Sequence, residues 1–158
     1  MFQATIKNTE PETVAFIHMH GPYTQIPETF GTLYGWLESQ GLTATGMPHT
    51  VYRTMPDEVS KTQADWELQA PVSDAPDVQE NVSGLGVRHL ASTEVAFVMH
   101  RGSYDSVGPT YEQLMHWIAA NGLEITGPAE EVYFSDPAEV PPDEYLTEIR
   151  FPVRTAQH

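Results

Sequence analysis

The sequence predicts an α+β fold built as a tandem duplicated βαββ module. The expected form is two antiparallel sheets, each with one main helix, related by a pseudo-two-fold axis with a central cleft. Three observations predict it. Residues 13–72 superpose on 94–153 without a gap, with 20 identities over 60 positions, against roughly one in seventeen by chance at average composition. Each copy strings short apolar runs of strand length around one stretch of helical period. Each copy also closes on a strand-like run with a carboxylate near its middle. These runs are Ala64-Asp-Trp-Glu-Leu-Gln-Ala-Pro-Val72 and Tyr145-Leu-Thr-Glu-Ile-Arg-Phe-Pro-Val153, whose acids Glu67 and Glu148 lie 81 positions apart. The chain reads as one domain over 1–158, with repeat one at 1–72, a linker at 73–83 and repeat two at 84–154.

Taken in order, residues 2–7 form a short strand and Asn8–Thr13 a turn by composition. Val14–His20 is a strand, stopped by Gly21-Pro22-Tyr23. A helix follows from about Pro27 to Gln40, because Ile26, Phe30, Leu33, Tyr34 and Leu37 fall on one stripe. Pro27 suits its first turn and Gly41 its C′ position. Residues 42–48 read as a loop, Thr50–Arg53 as a strand, Met55–Lys61 as a loop and 64–72 as a strand. The polar segment Ser73–Ser83 is the linker, after which the pattern restarts. Gly86–Leu90 and Val95–His100 are strands, and Val107, Tyr111, Leu114, Met115 and Ile118 repeat the helical stripe up to Asn121-Gly122. Val132-Tyr133 repeats Val51-Tyr52, and 145–153 is the last strand.

Charge narrows the functional classes. Seven Lys and Arg face 22 Asp and Glu, for a net charge of −15. The excess is spread evenly, with 3 positive and 10 negative residues in 1–79 and 4 and 12 in 80–158. Such a surface repels phosphate backbones, so no direct nucleic-acid partner is expected. It attracts cations and basic protein surfaces. No apolar run reaches the length of a membrane span, and the N-terminus has no signal-peptide pattern, so a cytoplasmic location is expected. With no cysteine, disulfides and thiol nucleophiles are excluded.

The repeated residues set the candidate site. A carboxylate on a strand within an aromatic groove is costly without a partner, so Glu67 and Glu148 stand for cation recognition or a general base for water, or else for a solvent-exposed strand face or a salt bridge. Arg150, two residues from Glu148 on the same strand face, is the candidate counter-ion. Tyr23, Trp36, Tyr52, Tyr104, Trp117 and Tyr133 are candidates to line the groove, since aromatic faces suit flat lipophilic molecules and cations. Tyr23 and Tyr104 follow glycine-containing turns and read first as braces at the helix entry. His18 and His20 share one strand face, as a ligand pair would, but no third donor follows at a recognised spacing, and no metal is assigned. No serine elbow or phosphate-cradling glycine loop is present, and no cofactor is implied.

The run Val14-Ala-Phe-Ile-His-Met-His-Gly-Pro-Tyr23 and the Phe30, Leu33, Trp36-Leu37 helix that follows resemble the GyrI-like small-molecule-binding domain. So do Glu131-Val-Tyr-Phe-Ser-Asp-Pro137 and Thr147-Glu-Ile-Arg-Phe-Pro-Val153. That domain is also the effector-binding half of AraC-type and MerR-type multidrug regulators. The resemblance implies an aromatic cleft reached by the acid of the final strand, which falls on Glu148. Gly102-Ser103-Tyr104 departs from the family's Gly-Pro-Tyr, and Arg150 beside the acid is unexpected in a cation-binding cleft. No helix-turn-helix is read in the chain, so a stand-alone form is expected.

Three readings follow. The first is a small-molecule-binding protein for sensing or sequestration. It takes a lipophilic ligand, cations included, on Glu148, Tyr133, Trp117, Trp36, Tyr52 and Glu67. The second, from members similar to hydrolases of reactive cyclopropane-type compounds, uses Glu148 as acid or base with Tyr133. The third is an acidic inhibitor of a basic protein surface, as in members that inhibit DNA gyrase.

Overall fold

A computed structural model describes residues 3–54, 64–103, 106–135 and 139–156. It contains nine strands and two α-helices among the described residues, so the fold is α+β with antiparallel strand pairing. The chain divides into two compact units, Glu10–Ser92 and Thr93–His158 with Met1–Thr9.

In the unit Glu10–Ser92, strand β2 (Glu12–His20) lies between β4 (Asp65–Val72) and β5 (Leu85–Leu90), and β3 (His49–Tyr52) adds to the far side of β4. Helix α1 (Ile26–Ser39) buries Leu33 and Leu37 against Ala15, Ile17, Trp66, Leu68, Ala70 and Leu85. The strand alternation explains this choice of face: those residues share one parity, while Phe16, His18, Glu67, Gln69 and Arg88 share the other. A one-turn 3₁₀ segment, Tyr23–Gln25, leads into the helix. The exit is a Schellman motif. Gly41 sits at φ +70°, its N–H bonds Glu38 O at 3.0 Å, and Leu42 N–H bonds Leu37 O at 3.0 Å.

In the other unit, β6 (Glu94–Arg101) lies between β1 (Thr5–Asn8) and β9 (Leu146–Thr155). The strand β8 (Ala129–Tyr133) continues from β9, and the short β7 (Leu123–Ile125) pairs with the end of β9. Helix α2 (Gly108–Ala120) buries Tyr111, Leu114 and Ile118, and the Tyr111 ring meets Phe151 edge-on at 6.0 Å.

Element types follow the periodicity read from the sequence, and the partners add to it. The first strand, β1, pairs into the unit that holds residues 93–158, and β5 pairs with β2. Strand β2 starts at Glu12, inside the expected turn, because Glu12 and Thr13 complete the ladder to Leu90 and His89. Strand β7 corresponds to residues read as loop in the first copy. The segment 73–83, expected as a linker, lies inside the unit Glu10–Ser92, and Val78 and Val87 exchange backbone hydrogen bonds of 3.0 and 2.9 Å. The expected loop Met55–Lys61 and Tyr104 lie outside the described residues.

Gly84 closes the turn before β5 at φ +84°, and a Cβ there would come within 2.4 Å of the His18 carbonyl oxygen. Gly84→Ala is expected to cost about 1–3 kcal/mol from the left-handed backbone alone, with the clash in addition. A lowered urea midpoint at unchanged slope measures it.

Candidate functional site

The acid of β9 is at the centre of a charged cluster. The registers Met99↔Glu148, Phe97↔Arg150, Val132↔Glu148, Glu130↔Arg150, Thr5↔Phe97 and Lys7↔Val95 place these residues on one sheet face. That face is opposite the one that receives α2. Glu148 is 3% exposed, so its charge requires partners. It has two: Lys7 Nζ donates to Oε1 at 2.6 Å and Arg150 Nη1 to Oε2 at 3.1 Å. Arg150 also donates through Nε to Glu130 Oε2 at 2.7 Å. Burial alone would lower the Arg150 pKa, but the Glu130 and Glu148 carboxylates outweigh it and hold it above the ordinary value. Two acids therefore meet two cations, and the cluster is neutral. Lys7 Nζ also stands 4.2 Å over the centre of the Phe97 ring.

In the unit Glu10–Ser92, Glu67 is fully buried. Its Oε1 accepts from Arg53 Nη2 at 3.0 Å and lies 3.1 Å from Arg88 Nη2, and its Oε2 accepts from Gln69 Nε2 at 2.7 Å. The Arg88 guanidinium stacks 3.9 Å from the Phe16 ring centre. At the 81-residue offset, Arg88 stands where Lys7 stands, Phe16 where Phe97 does, and Gln69 where Arg150 does. Here one acid meets two guanidinium groups, so the cluster carries a positive excess.

The aromatic candidates divide. Trp117, half-buried on α2, lines a concavity of about 590 Å³ with Gln3, Ala4, Thr5 and Phe97. Tyr133 does not join Glu148. It pairs with Thr147, one residue out of phase, and its hydroxyl donates to Glu131 Oε1 at 3.1 Å on the opposite face. Glu131 also accepts from Tyr111 at 2.6 Å, which ties α2 to the sheet. Tyr52 likewise turns away from Glu67; its ring meets Tyr23 edge-on at 5.2 Å, and Tyr23 donates to Thr54 O at 2.7 Å. Trp36 packs against the core beneath α1.

Sequence reasoning missed Lys7, Arg88, Phe16 and Phe97 as companions of the acids. The repeated Phe16/Phe97 pair was visible, but the cations become neighbours only through strand pairing. It also missed Asp65, which lies opposite His20 on β4 and brings a third donor to His18 and His20. A further group of three, His89 with Asp77 at 2.5 Å and Asp74 at 3.3 Å, is exposed. The hydrogen bond to Asp77, chiefly, holds the His89 pKa above its ordinary value.

The family model of the GyrI-like small molecule binding domain matches residues 2–154. The chain belongs to this GyrI-like family. A search of curated proteins finds no match. Among solved structures, the EcmrR C-terminal domain is similar at TM-score 0.85 and 24% identity, over 99% of both chains. A hydrolase from Listeria innocua is similar at TM-score 0.66 and 15% identity, over 96% of this chain and 92% of that one. SAV2435 bound to tetraphenylphosphonium is similar at TM-score 0.55 and 14% identity, over 96% of this chain and 94% of that one. At these identities the likeness speaks to the fold. Among the described residues no helix of this GyrI-like chain is long and apolar enough to cross a membrane.

Proposed function

We propose that this GyrI-like chain binds a lipophilic organic cation on the Glu148 face, for sensing or sequestration, and that Lys7 holds the cation's place until the ligand arrives. One observation carries the reading. The Lys7 ammonium sits between a buried carboxylate, at 2.6 Å, and an aromatic face, at 4.2 Å. A carboxylate beside an aromatic face is the pattern that recognises organic cations. The Lys7 side chain is 39% exposed and tethered by a flexible stem, so it can swing out to water. The cluster would then carry one net negative charge, from Glu148 and Glu130 against Arg150. Phe97, which faces this cluster and also lines the concavity of about 590 Å³, would supply apolar area.

The same reasoning assigns Glu67 a structural role. Two guanidinium groups already surround it, and among the described residues no ammonium group pairs with it. The sequence offset and the matching registers support descent of the two units from one duplicated βαββ module, with a single copy keeping the cation pattern. The hydrolase alternative is not favoured. It needs Glu148 unpaired and Tyr133 beside it, whereas both carboxylate oxygens are engaged and Tyr133 is on the other face.

Calorimetric titration with tetraphenylphosphonium tests the proposal. Lys7→Met is expected to tighten binding about tenfold or more, because the competing ion pair and cation–π contact contribute about 1–2 kcal/mol. Glu148→Gln is expected to weaken binding below the wild type, and Phe97→Ala to weaken it further in the Lys7→Met background. Equal affinity of wild type and Lys7→Met, or full binding by Glu148→Gln, overturns the reading.

A further inference from the structure

A second site is built in the other unit, on the strands that carry the structural acid. His18 and His20 project from one face of β2, and Asp65 projects from β4 opposite His20. His18 Nε2 lies 2.6 Å from Asp65 Oδ1, and His20 Nε2 lies 3.5 Å from Asp65 Oδ2. One donor atom from each of the three residues falls within 4.8 Å of the others. Neighbouring donors around a tetrahedral zinc ion are about 3.3 Å apart, given bonds of about 2.0–2.1 Å. His20 and Asp65 have room to rotate toward that spacing, since their side chains are 65% and 27% exposed.

We propose that His18, His20 and Asp65 bind a divalent transition-metal ion of the zinc class, with a coordination position left open to water. The second observation concerns the far nitrogen of His18. Its Nδ1 lies 3.3 Å from Glu80 Oε1, so a carboxylate oxygen faces each ring nitrogen. A neutral imidazole has one N–H and satisfies one acceptor. With the proton on Nδ1, donated to Glu80, the Nε2 lone pair points at Asp65, and the two electron-rich groups need a cation, either a second ring proton or a metal ion bound by both. A metal ion meets that need. Glu80 then plays the part of the outer carboxylate that fixes tautomer and ring orientation at histidine-bound metals. The donor set of two imidazoles and one carboxylate suits zinc and its neighbours rather than calcium or magnesium. Glu67, the next acid on the same face, is taken up by Arg53 and Arg88 and is not a ligand.

The test uses the full chain without an affinity tag, stripped with chelator and titrated with zinc chloride by calorimetry. Cobalt(II) absorption reports the donor set. The expected result is one saturable equivalent of zinc per chain. His20→Gln, at an exposed position that leaves folding intact, is expected to weaken binding more than tenfold. Asp65→Asn is expected to do the same, and Glu80→Gln to weaken it by about 10–100-fold. His89→Gln, which breaks the other histidine–aspartate group, is expected to leave binding unchanged. Absence of a saturable equivalent, or binding untouched by His20→Gln, overturns the site. So does binding lost with His89→Gln.

Discussion

Trp66→Ala is expected to lower stability by about 3–5 kcal/mol, a large share of the roughly 5–15 kcal/mol that holds a domain of this size together. Trp66 is wholly buried in β4 and is among the largest side chains with no exposure. It belongs to the cluster that joins α1 to the sheet through Leu33, Leu37, Ile17 and Leu68. Its indole N–H donates to Gly21 O at 2.9 Å, at the turn where β2 passes into the helix. Alanine removes the packed volume and leaves that carbonyl unpaired. Phenylalanine keeps most of the volume and loses only the donor, which is expected to cost about 1–3 kcal/mol. Urea unfolding followed by circular dichroism and by fluorescence of Trp36 and Trp117 measures both variants. Equal losses for Ala and Phe would show that the bond to Gly21, rather than volume, sets the cost.

Arg150→Met is expected to cost about 3–5 kcal/mol, the range for removing one partner of a buried ion pair. The guanidinium bridges Glu130 and Glu148, and its side chain is only 11% exposed. Methionine matches the stem but leaves Glu148, also buried, with Lys7 alone. The second change Glu148→Gln is expected to return much of the loss, because the uncompensated charge rather than the missing contact dominates it. A double-mutant cycle by urea unfolding reads the coupling directly. Independent, additive losses would mean that Glu148 is neutralised by Lys7 and that Arg150 serves Glu130. The single variant Arg150→Met carries one more net negative charge than the wild type at this face. The proposed function therefore predicts tighter tetraphenylphosphonium binding by whatever protein remains folded.

The sequence by itself determined the kinds of element and the family. Alternation in 145–153 reports a strand because successive side chains point to opposite faces, and the short continuous apolar run 95–100 reports one by its length. The stripe from Ile26 to Leu37 reports a helix because its apolar residues recur every three to four positions. Gly41 and Gly122 mark helix ends because the αL position that closes each one disfavours a Cβ; both adopt positive φ. These are local effects, written within a few residues of where they act. Glu67 and Glu148 were legible as well, since a charge in an apolar strand is conspicuous wherever the strand lies.

Tertiary structure alone decided what those acids meet. Lys7 reaches Glu148 across 141 residues of chain, because β1 pairs with β6 and β6 with β9. Asp65 joins His18 because β4 lies antiparallel to β2 in a register that sets it opposite His20. Tyr133 and Tyr52 were placed with the acids by their place in the repeat. Each falls on the other face, because its neighbour, Val132 or Val51, takes the position opposite the acid. A strand's own sequence fixes which residues alternate, but its partner and register are set by packing and hydrogen bonding across the sheet. A shift of one residue exchanges the faces, and with them the residues that make a site.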